Sequence, residues 1–385
     1  SGGYGRAGKS PWGGAGCIIN WNVTNIWPGF CAGIGKYSSV HVDGWGSLAS
    51  STWTFANSSK IKNIKMQTFP EQQLRDAVAI IVICIGLLVW FNAGFFGHEL
   101  LAQIAILAIF AMSLDLLAGY SGQVSLGHAA FFGTGAYGTA ALTAIWGWPL
   151  SVAMPISIII TAGLAFCVAI FAVRLSGIFF LMVTLAIGEV FHSFFFRVRV
   201  FGGDDGLGGI PRLDLGAIGI DLLSPISFSM FTLITVALVY WGLSYISRSS
   251  FGAVISGIRQ NESRMAALGC KVRSYKVWTF TVAACLAALA GSLSAQHDGF
   301  VSPDLLSWTA SGEVLIVVIV GGMSSLVGPI IGAVVVVLLA HYVSGLTNYW
   351  MFFMGLFFVA VVLAGGQGIY GLFEKTCRRL HNVKR

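Results

Sequence analysis

Residues 249–276 read SSFGAVISGIRQNESRMAALGCKVRSYK, and they form the long charged segment of an otherwise hydrophobic chain. Apolar residues recur in this segment at steps of three or four, which is the period of an amphipathic helix. Long apolar runs flank it on both sides, at residues 226–246 and 277–295. The pattern predicts a basic helix–turn segment at a membrane surface. An ordinary basic loop that follows the positive-inside rule would look similar.

The composition indicates an integral membrane protein. The chain has 385 residues, of which 56% are hydrophobic and only 10% are charged, whereas a soluble domain carries roughly a quarter charged residues. Apolar runs of about 20 residues fit helices that cross a hydrocarbon core of about 30 Å. We therefore predict an all-α polytopic bundle of about 8–10 transmembrane helices with broken or re-entrant segments.

The net charge of +7 does not indicate nucleic-acid binding. The basic residues lie at the ends of apolar runs, where they set the orientation of a membrane protein. The chain also lacks the alternation of aromatic and basic residues that typifies single-stranded nucleic-acid binding. We expect the lipid bilayer, and no nucleic acid, as the surrounding partner.

The sequence divides into three parts. Residues 1–65 are rich in Gly, Ser, Trp and Asn without a sustained period, so we expect a disordered or non-native N-terminal extension there. Residues 66–375 form the membrane domain, with the basic segment 249–276 inside it. Residues 376–385 form a basic tail that we expect in the cytoplasm.

One motif in the extension resembles a phosphate-binding loop. Residues 3–10, GYGRAGKS, match the pattern G-x-x-x-x-G-K-[ST]. That loop functions between a buried strand and the N-terminus of a helix, and neither is predicted here. We therefore assign it no nucleotide and expect no cofactor.

Charge bias orients the apolar runs. They cover residues 77–96, 100–117, 129–145, 149–173, 178–196, 226–246, 277–295, 326–343 and 350–363. We predict a short turn at His98 and Glu99 between the first two runs. The positive-inside rule places the basic segment and Arg174 in the cytoplasm, and the loops 201–224 and 297–308 outside. Arg197 and Arg199 do not fit this assignment.

Two glycine-rich stretches interrupt the apolar runs, GYSGQVSLGH at residues 119–128 and GGMSSLVGP at 321–329. Residues 314–320 are too short to cross a membrane alone, which predicts half of a broken helix. Such breaks often mark solute paths in transporters. The residues that we predict to border a path are Ser121, Gly122, Gln123, Ser125, Gly127, His128, Gly321, Gly322, Ser325, Gly328 and Pro329.

Several polar or ionisable side chains fall inside or near the apolar runs: Gln103, Asp115, Gln123, His128, Glu189, His192 and Glu313. Charge at membrane depth is costly, so each is a functional candidate. The acids are single groups on separate runs, which favours structural roles or solvation near a helix end, as for Asp115, over a proton relay. The sequence has no metal-binding or nucleophile motif that would indicate an enzyme.

Four stretches together resemble the permease subunits of branched-chain amino acid ABC importers. They are GYSGQVSLGHAAFFGTGAY (119–137), FGAVISGIRQNESRMAALG (251–269), AGSLSAQHDGFVSPD (290–304) and VGGMSSLVGPIIGA (320–333). The resemblance covers roughly residues 70–375. Ser324 replaces a glycine that is common in this family, and Cys270 replaces an apolar residue. Permeases for urea and short amides look similar, so the resemblance leaves the solute open.

The resemblance implies a set of partners. A permease of this kind pairs with a related sister permease, is powered by two cytoplasmic ATPase subunits and receives its solute from a periplasmic binding protein, in the bacterial inner membrane. The segment 251–269 is similar to the family's ATPase-docking loop, which implies coupling roles for Arg259, Glu262, Ala266, Ala267 and Gly269. The alternative from a different class is an ion-coupled secondary transporter.

Overall fold

The computed structural model describes residues 94–212 and 224–363, together with positions 86, 88, 90, 91, 214, 215, 220, 221, 368, 369 and 371. The predicted N-terminal extension (1–65) and the basic tail (376–385) lie outside these residues. The phosphate-loop match at residues 3–10 therefore lies outside them as well.

The described chain is helical almost throughout. Its helices are α1 (Phe95–Leu114), α2 (His128–Ala140), α3 (Leu150–Ala172), α4 (Ile178–Arg197), α5 (Pro225–Arg248), α6 (Ser250–Gln260), α7 (Glu262–Ala267), α8 (Val272–Asp298), α9 (Trp308–Gly321), α10 (Val327–Leu346) and α11 (Trp350–Leu363). Helices α1 and α2 continue as π-helical turns over Asp115–Tyr120 and Ala141–Ile145. Short strands are β1 (Leu207–Gly208), β2 (Asp214–Leu215), β3 (Ile220–Asp221) and β4 (Phe300–Val301).

Within the described residues, six helices are long and apolar enough to cross a membrane. They are α1 with its π-helical turn, α3, α4, α5, α8 and α10, and the shorter apolar helices α9 and α11 accompany them. The prediction of an all-α polytopic membrane protein is confirmed. The predicted broken helix also matches, because α9 ends at Gly321 and α10 begins at Val327.

Helices α1 and α8 form the centre of the bundle. Helix α8 packs against α1, α2 and α3, and α1 also packs against α5 and α10. Small residues allow the close approach: a Cβ atom on Gly291 would lie 1.9 Å from the carbonyl oxygen of Phe132. Across the same contact, the Thr139 hydroxyl donates to Ser292 Oγ at 2.9 Å. In a membrane, such packing and interhelical hydrogen bonds hold helices together.

The outer helices present apolar side chains away from this centre. Exposed examples are Ile159 and Phe171 on α3, Leu238 and Trp241 on α5, and Phe352 on α11. Contact of these apolar side chains with water would be unfavourable, whereas lipid tails solvate them without cost. The exposed faces are therefore consistent with lipid contact.

Contacts group the loops at two ends of the bundle. Strand β1 pairs with β4 in an antiparallel manner, which joins the loop after α4 to the loop after α8. At that end Arg212 forms an ion pair with Glu99 at 3.3 Å and also donates to the carbonyl of His297. These contacts agree with the grouping of loops 201–224 and 297–308 on one side.

The opposite end carries the basic segment. Leu175, Ser176 and Gly177 lie beside residues 258–262 there, and Arg273 donates to the carbonyl of Ile170 at 2.8 Å. Helix α8 has 27 residues and so separates the two ends by about 40 Å. Residues next to Arg174 and the basic segment thus share one end, as the charge bias predicted.

The predicted turn at His98 and Glu99 is wrong, because both residues lie within α1. The interruption lies instead at Gly94, which is extended and precedes the helix. The polar side chains need no turn, since His98 is buried and its Nδ1 lies 3.2 Å from Ser229 Oγ. Glu99 contacts Arg212 at the end of the bundle, where both side chains are partly exposed.

The contact between α2 and α8 predicts a difference between two glycine variants. Gly291→Ala forces a Cβ atom into the Phe132 carbonyl, so we expect the free energy of unfolding to fall by about 1–3 kcal/mol. In Gly163→Ala, on the exposed face of α3, the new Cβ atom meets nothing within 4 Å. The higher helix propensity of alanine should raise the free energy of unfolding by up to about 1 kcal/mol. Thermal unfolding in detergent measures both, and equal melting temperatures would contradict this packing.

Candidate functional site

The basic segment forms two short helices joined at Asn261. Ser249 caps α6 by accepting from the amide of Gly252 at 3.4 Å, and Asn261 caps α7 by accepting from the amide of Arg264 at 2.9 Å. Both are residue types that favour the N-cap position. Ile255 and Ile258 are buried beneath α6. The predicted amphipathic helix–turn is therefore present, with Asn261 between its two helices.

The far side of α7 is exposed. Ala266, Ala267 and Gly269 are exposed, and the Leu268 side chain is 65% exposed. Gly269 has a φ of 85°, a left-handed conformation that glycine adopts at little cost. Small residues beside an uncovered leucine form a shallow apolar surface at the end of the bundle.

An ion pair fixes α7 to α8. Lys276 Nζ lies 2.7 Å from Glu262 Oε2. The lysine side chain is only 7% exposed, whereas the glutamate side chain is 51% exposed. A nearly buried ammonium group needs such a partner because its desolvation is costly. Glu262 therefore positions α7 as well as contributing to its surface.

Arg259 joins the basic segment to both glycine-rich breaks. Its guanidinium donates to the carbonyl of Gly119 and to the hydroxyl of Ser324. The Ser324 hydroxyl in turn donates to the Gly119 carbonyl at 2.6 Å. Gly122 passes close to the same side chain, since a Cβ atom there would lie 3.1 Å from Arg259 Cγ. Two sequence motifs separated by 200 residues thus meet at one arginine.

Asp115 holds the second break through its carboxylate. Its Oδ1 accepts from the amide of Ser324 at 2.7 Å, and its Oδ2 accepts from the amide of Leu326 at 3.3 Å. Ser324 and Leu326 have φ values of 65° and 54°, which are unusual for residues other than glycine. Asp115 is fully buried, so the expectation that water solvates it is wrong. Both of its carboxylate oxygens accept from backbone amides of the break.

The remaining polar residues of the first break are mostly buried. The Ser121 hydroxyl donates to Gln123 Oε1 at 3.0 Å, while Ser125 is fully buried. His128 Nε2 lies 2.9 Å from Ser113 Oγ. Gly127 packs against the backbone of Thr184 on α4. This break is consequently anchored to two neighbouring helices.

The second break closes on itself. Gly321 and Gly328 have their backbones in direct contact, and the Gly328 amide donates to Ser325 Oγ at 2.8 Å. Gly322 adopts a φ of 114°, and Pro329 is buried in the first turn of α10. Of the residues that the sequence predicts to border a path, Gly122 lies beside Arg259, whereas Gly127 and His128 contact Thr184 and Ser113.

A cleft of about 200 Å³ opens between the basic segment and the first break. Residues 121–124, 175–177 and 258–262 line it, together with Phe180 and Lys276. Gln123 is buried at its edge, and its Nε2 has no hydrogen-bond partner within the described residues. The cleft separates the basic segment from the loop between α3 and α4.

The other ionisable groups lie apart from this region. Glu189 and His192 are half-buried on α4, and Glu313 is exposed on α9. Glu189 and His192 lie three positions apart on one face of α4, and Glu313 lies on a different helix. Sequence reasoning missed the pairing of Asp115 with Ser324, although a serine in a glycine-rich break was a visible signal.

A comparison with known protein families shows which family the chain belongs to. The family described as branched-chain amino acid transport system / permease component matches residues 97–362. The chain belongs to this family. It is therefore a permease component of a transport system and not an enzyme, and it is a multi-pass membrane protein.

Two curated relatives support the assignment. The permease is 27% identical over 314 residues to the high-affinity branched-chain amino acid transport system permease protein LivM of Escherichia coli (strain K12), covering 76% of this chain and 73% of that protein. It is 26% identical over 314 residues to the LivM protein of Salmonella typhimurium, with the same coverage of 76% and 73%. No solved structure matches the chain.

The ion pair between α7 and α8 predicts a measurable coupling. In a double-mutant cycle of Glu262→Gln and Lys276→Met, we expect each single variant to lower the melting temperature in detergent. The double variant should lose less than the sum, with a coupling of about 0.5–1.5 kcal/mol after allowance for the half-exposed glutamate.

The exposed Lys271 provides a matched control for this cycle. Lys271→Met removes the same charge from the same segment without a described partner. Its melting temperature should stay within about 1 °C of the wild type, as is usual for surface substitutions. Simple additivity of the two paired variants would contradict a stabilising contact.

Proposed function

We propose that the permease is a subunit of an ATP-driven importer that moves branched-chain or related amino acids across the bacterial inner membrane. It works with a sister permease, two cytoplasmic ATPase subunits and a periplasmic solute-binding protein. The single observation that carries this proposal is Arg259, which connects an exposed helix–turn to both breaks in the membrane helices.

The exposed helix–turn supports the ATPase-docking part of the proposal. A surface of Ala266, Ala267, Leu268 and Gly269 has the small size and apolar character that suit burial against a partner. The buried Lys276 fixes its orientation through Glu262. Energy that enters at this surface reaches the membrane helices as a rigid-body displacement, which is a common form of switching transition.

The two breaks support the solute-path part. Irregular backbone at membrane depth occurs where it is buried in protein or lines a water-filled path. The residues proposed to border the path are Ser121, Gly122, Gln123, Ser125, Gly127, His128, Gly321, Gly322, Ser325, Gly328 and Pro329. Within the described residues the Nε2 of Gln123 has no hydrogen-bond partner, and an amide N–H of this kind can donate to a carboxylate.

Charge and bulk on the docking surface should separate the permease from its ATPases. For Glu262→Lys combined with Gly269→Asp, we expect normal membrane insertion, no co-purification of the ATPase subunits and a loss of leucine uptake of at least about tenfold. Asp205→Lys reverses an exposed charge at the opposite end of the bundle and serves as the control. Its uptake and ATPase association should match the wild type.

The energy source distinguishes the alternatives. In proteoliposomes that contain the whole complex, uptake should require ATP on the docking side and should persist when ion gradients are collapsed. Uptake that survives the double substitution, or that follows an ion gradient without ATP, would refute the ABC importer and favour a secondary transporter. Competition of leucine uptake by isoleucine, valine and urea then identifies the solute class.

The path assignment predicts accessibility that depends on the transport state. A cysteine at Ser121 or Ser325, in a variant without native cysteines, should react with a small thiol reagent at a rate that changes at least about threefold when substrate and ATP are added. Cysteine at the lipid-facing Ile159 is the control. Identical labelling at Ser121 and Ser325 in every state would exclude these residues from the path.

A further inference from the structure

We propose that Arg259, Gly119, Ser324 and Asp115 form a clasp that transmits the motion of the ATPase-docking segment to both membrane breaks. In this clasp Arg259 and Asp115 are positioning residues for transport and do not contact the solute. The inference rests on the proposed function, because it assigns a route to the energy that an ATPase delivers at α7.

The arginine end of the clasp spans three segments. Arg259 lies on α6, Gly119 lies in the π-helical turn after α1, and Ser324 lies in the break between α9 and α10. The guanidinium bonds to acceptors on the second and third of these segments at once. The planar guanidinium holds its N–H donors in a fixed geometry. A displacement of α6 should therefore move the Gly119 carbonyl and the Ser324 hydroxyl together.

The aspartate end holds the break from the other side. Asp115 accepts from the amides of Ser324 and Leu326, at 2.7 Å and 3.3 Å, immediately before the first turn of α10. A carboxylate at the N-terminus of a helix is stabilised by the helix dipole. Ser324 is therefore held by Arg259 through its hydroxyl and by Asp115 through its amide.

The backbone of the break depends on these contacts. Ser324 and Leu326 both have positive φ values, and such conformations persist in residues other than glycine when the surroundings determine them. Here the buried carboxylate of Asp115 holds Ser324 and Leu326 in these conformations by accepting from their amides. Arg259 contacts the same loop through Ser324. Loss of either charged side chain should therefore prevent a displacement of α6 from moving the two breaks, while the docking surface on α7 remains.

The test uses the assembled transporter in proteoliposomes, with ATP hydrolysis and uptake of radiolabelled leucine measured on one sample. For Arg259→Cys in a variant without native cysteines, we expect ATPase association and ATP hydrolysis to remain, while the leucine transported per ATP falls at least about tenfold. A merely structural role would lower both rates together.

A covalent bond can then replace the arginine. A Cβ atom on Gly122 would lie 3.7 Å from Cβ of Arg259, which is within the range for a disulfide. In Gly122→Cys with Arg259→Cys, oxidation should restore leucine transport per ATP at least about threefold, and reduction should abolish it again. Gly122→Cys alone, which introduces a side chain at a φ of 72°, and Arg259→Cys alone are the controls, and oxidation should not change the leucine transported per ATP in either.

Two outcomes would overturn the clasp. One is complete disulfide formation in the double-cysteine variant without any recovery of leucine transported per ATP. The other is an Arg259→Cys variant in which the leucine transported per ATP equals that of the wild type. Failure of the wild-type complex to bind its ATPases or to transport leucine would instead refute the proposed function. The two failures are therefore distinguishable in the same preparation.

Asp115→Asn tests the other end of the clasp. The substitution keeps the size of the side chain but removes the charge and one acceptor oxygen. We expect transport per ATP to fall at least about tenfold with the complex still assembled. Asp205→Asn, an exposed residue at the opposite end, should behave as the wild type. Normal coupling in Asp115→Asn would assign this aspartate a purely static role and contradict the proposal.

Discussion

The interior of a membrane offers no water to unpaired backbone amides and carbonyls, and this constraint governs the permease. Regular helices satisfy it within themselves, but the two glycine-rich breaks do not. The chain meets the constraint at the second break with the buried carboxylate of Asp115, which accepts from the amides of Ser324 and Leu326. At the first break, the guanidinium of Arg259 donates to the carbonyl of Gly119.

This solution joins parts of the molecule that are distant in sequence. Because the arginine lies on the surface segment and the aspartate lies inside the bundle, the two breaks are held between a peripheral helix and the central helix α1. The close packing of α8 against α2 gives this arrangement a rigid support, since glycine at position 291 lets the helix backbones touch. In the proposed coupling, the exposed segment would receive the displacement and the packed centre would resist it.

Some features followed directly from local pattern. The last span, residues 350–363, follows from the length of an apolar run, and the helix–turn within residues 249–276 follows from its hydrophobic period. The predicted turn at His98 and Glu99 is wrong, because polarity within an apolar run does not by itself place a residue at the surface. Ser229 and Arg212, which satisfy these two side chains, lie more than 100 positions away in the sequence.

The sequence alone determined that the chain is a helical membrane protein, where most of its helices lie, and that it resembles a permease family. Length and hydrophobicity are properties of single segments, and the bilayer acts on each segment separately. Only the tertiary structure showed that Arg259 and Asp115 meet at Ser324. Hydrogen bonds of this kind depend on how helices pack and on the direction of individual side chains, and no local period in the sequence encodes either.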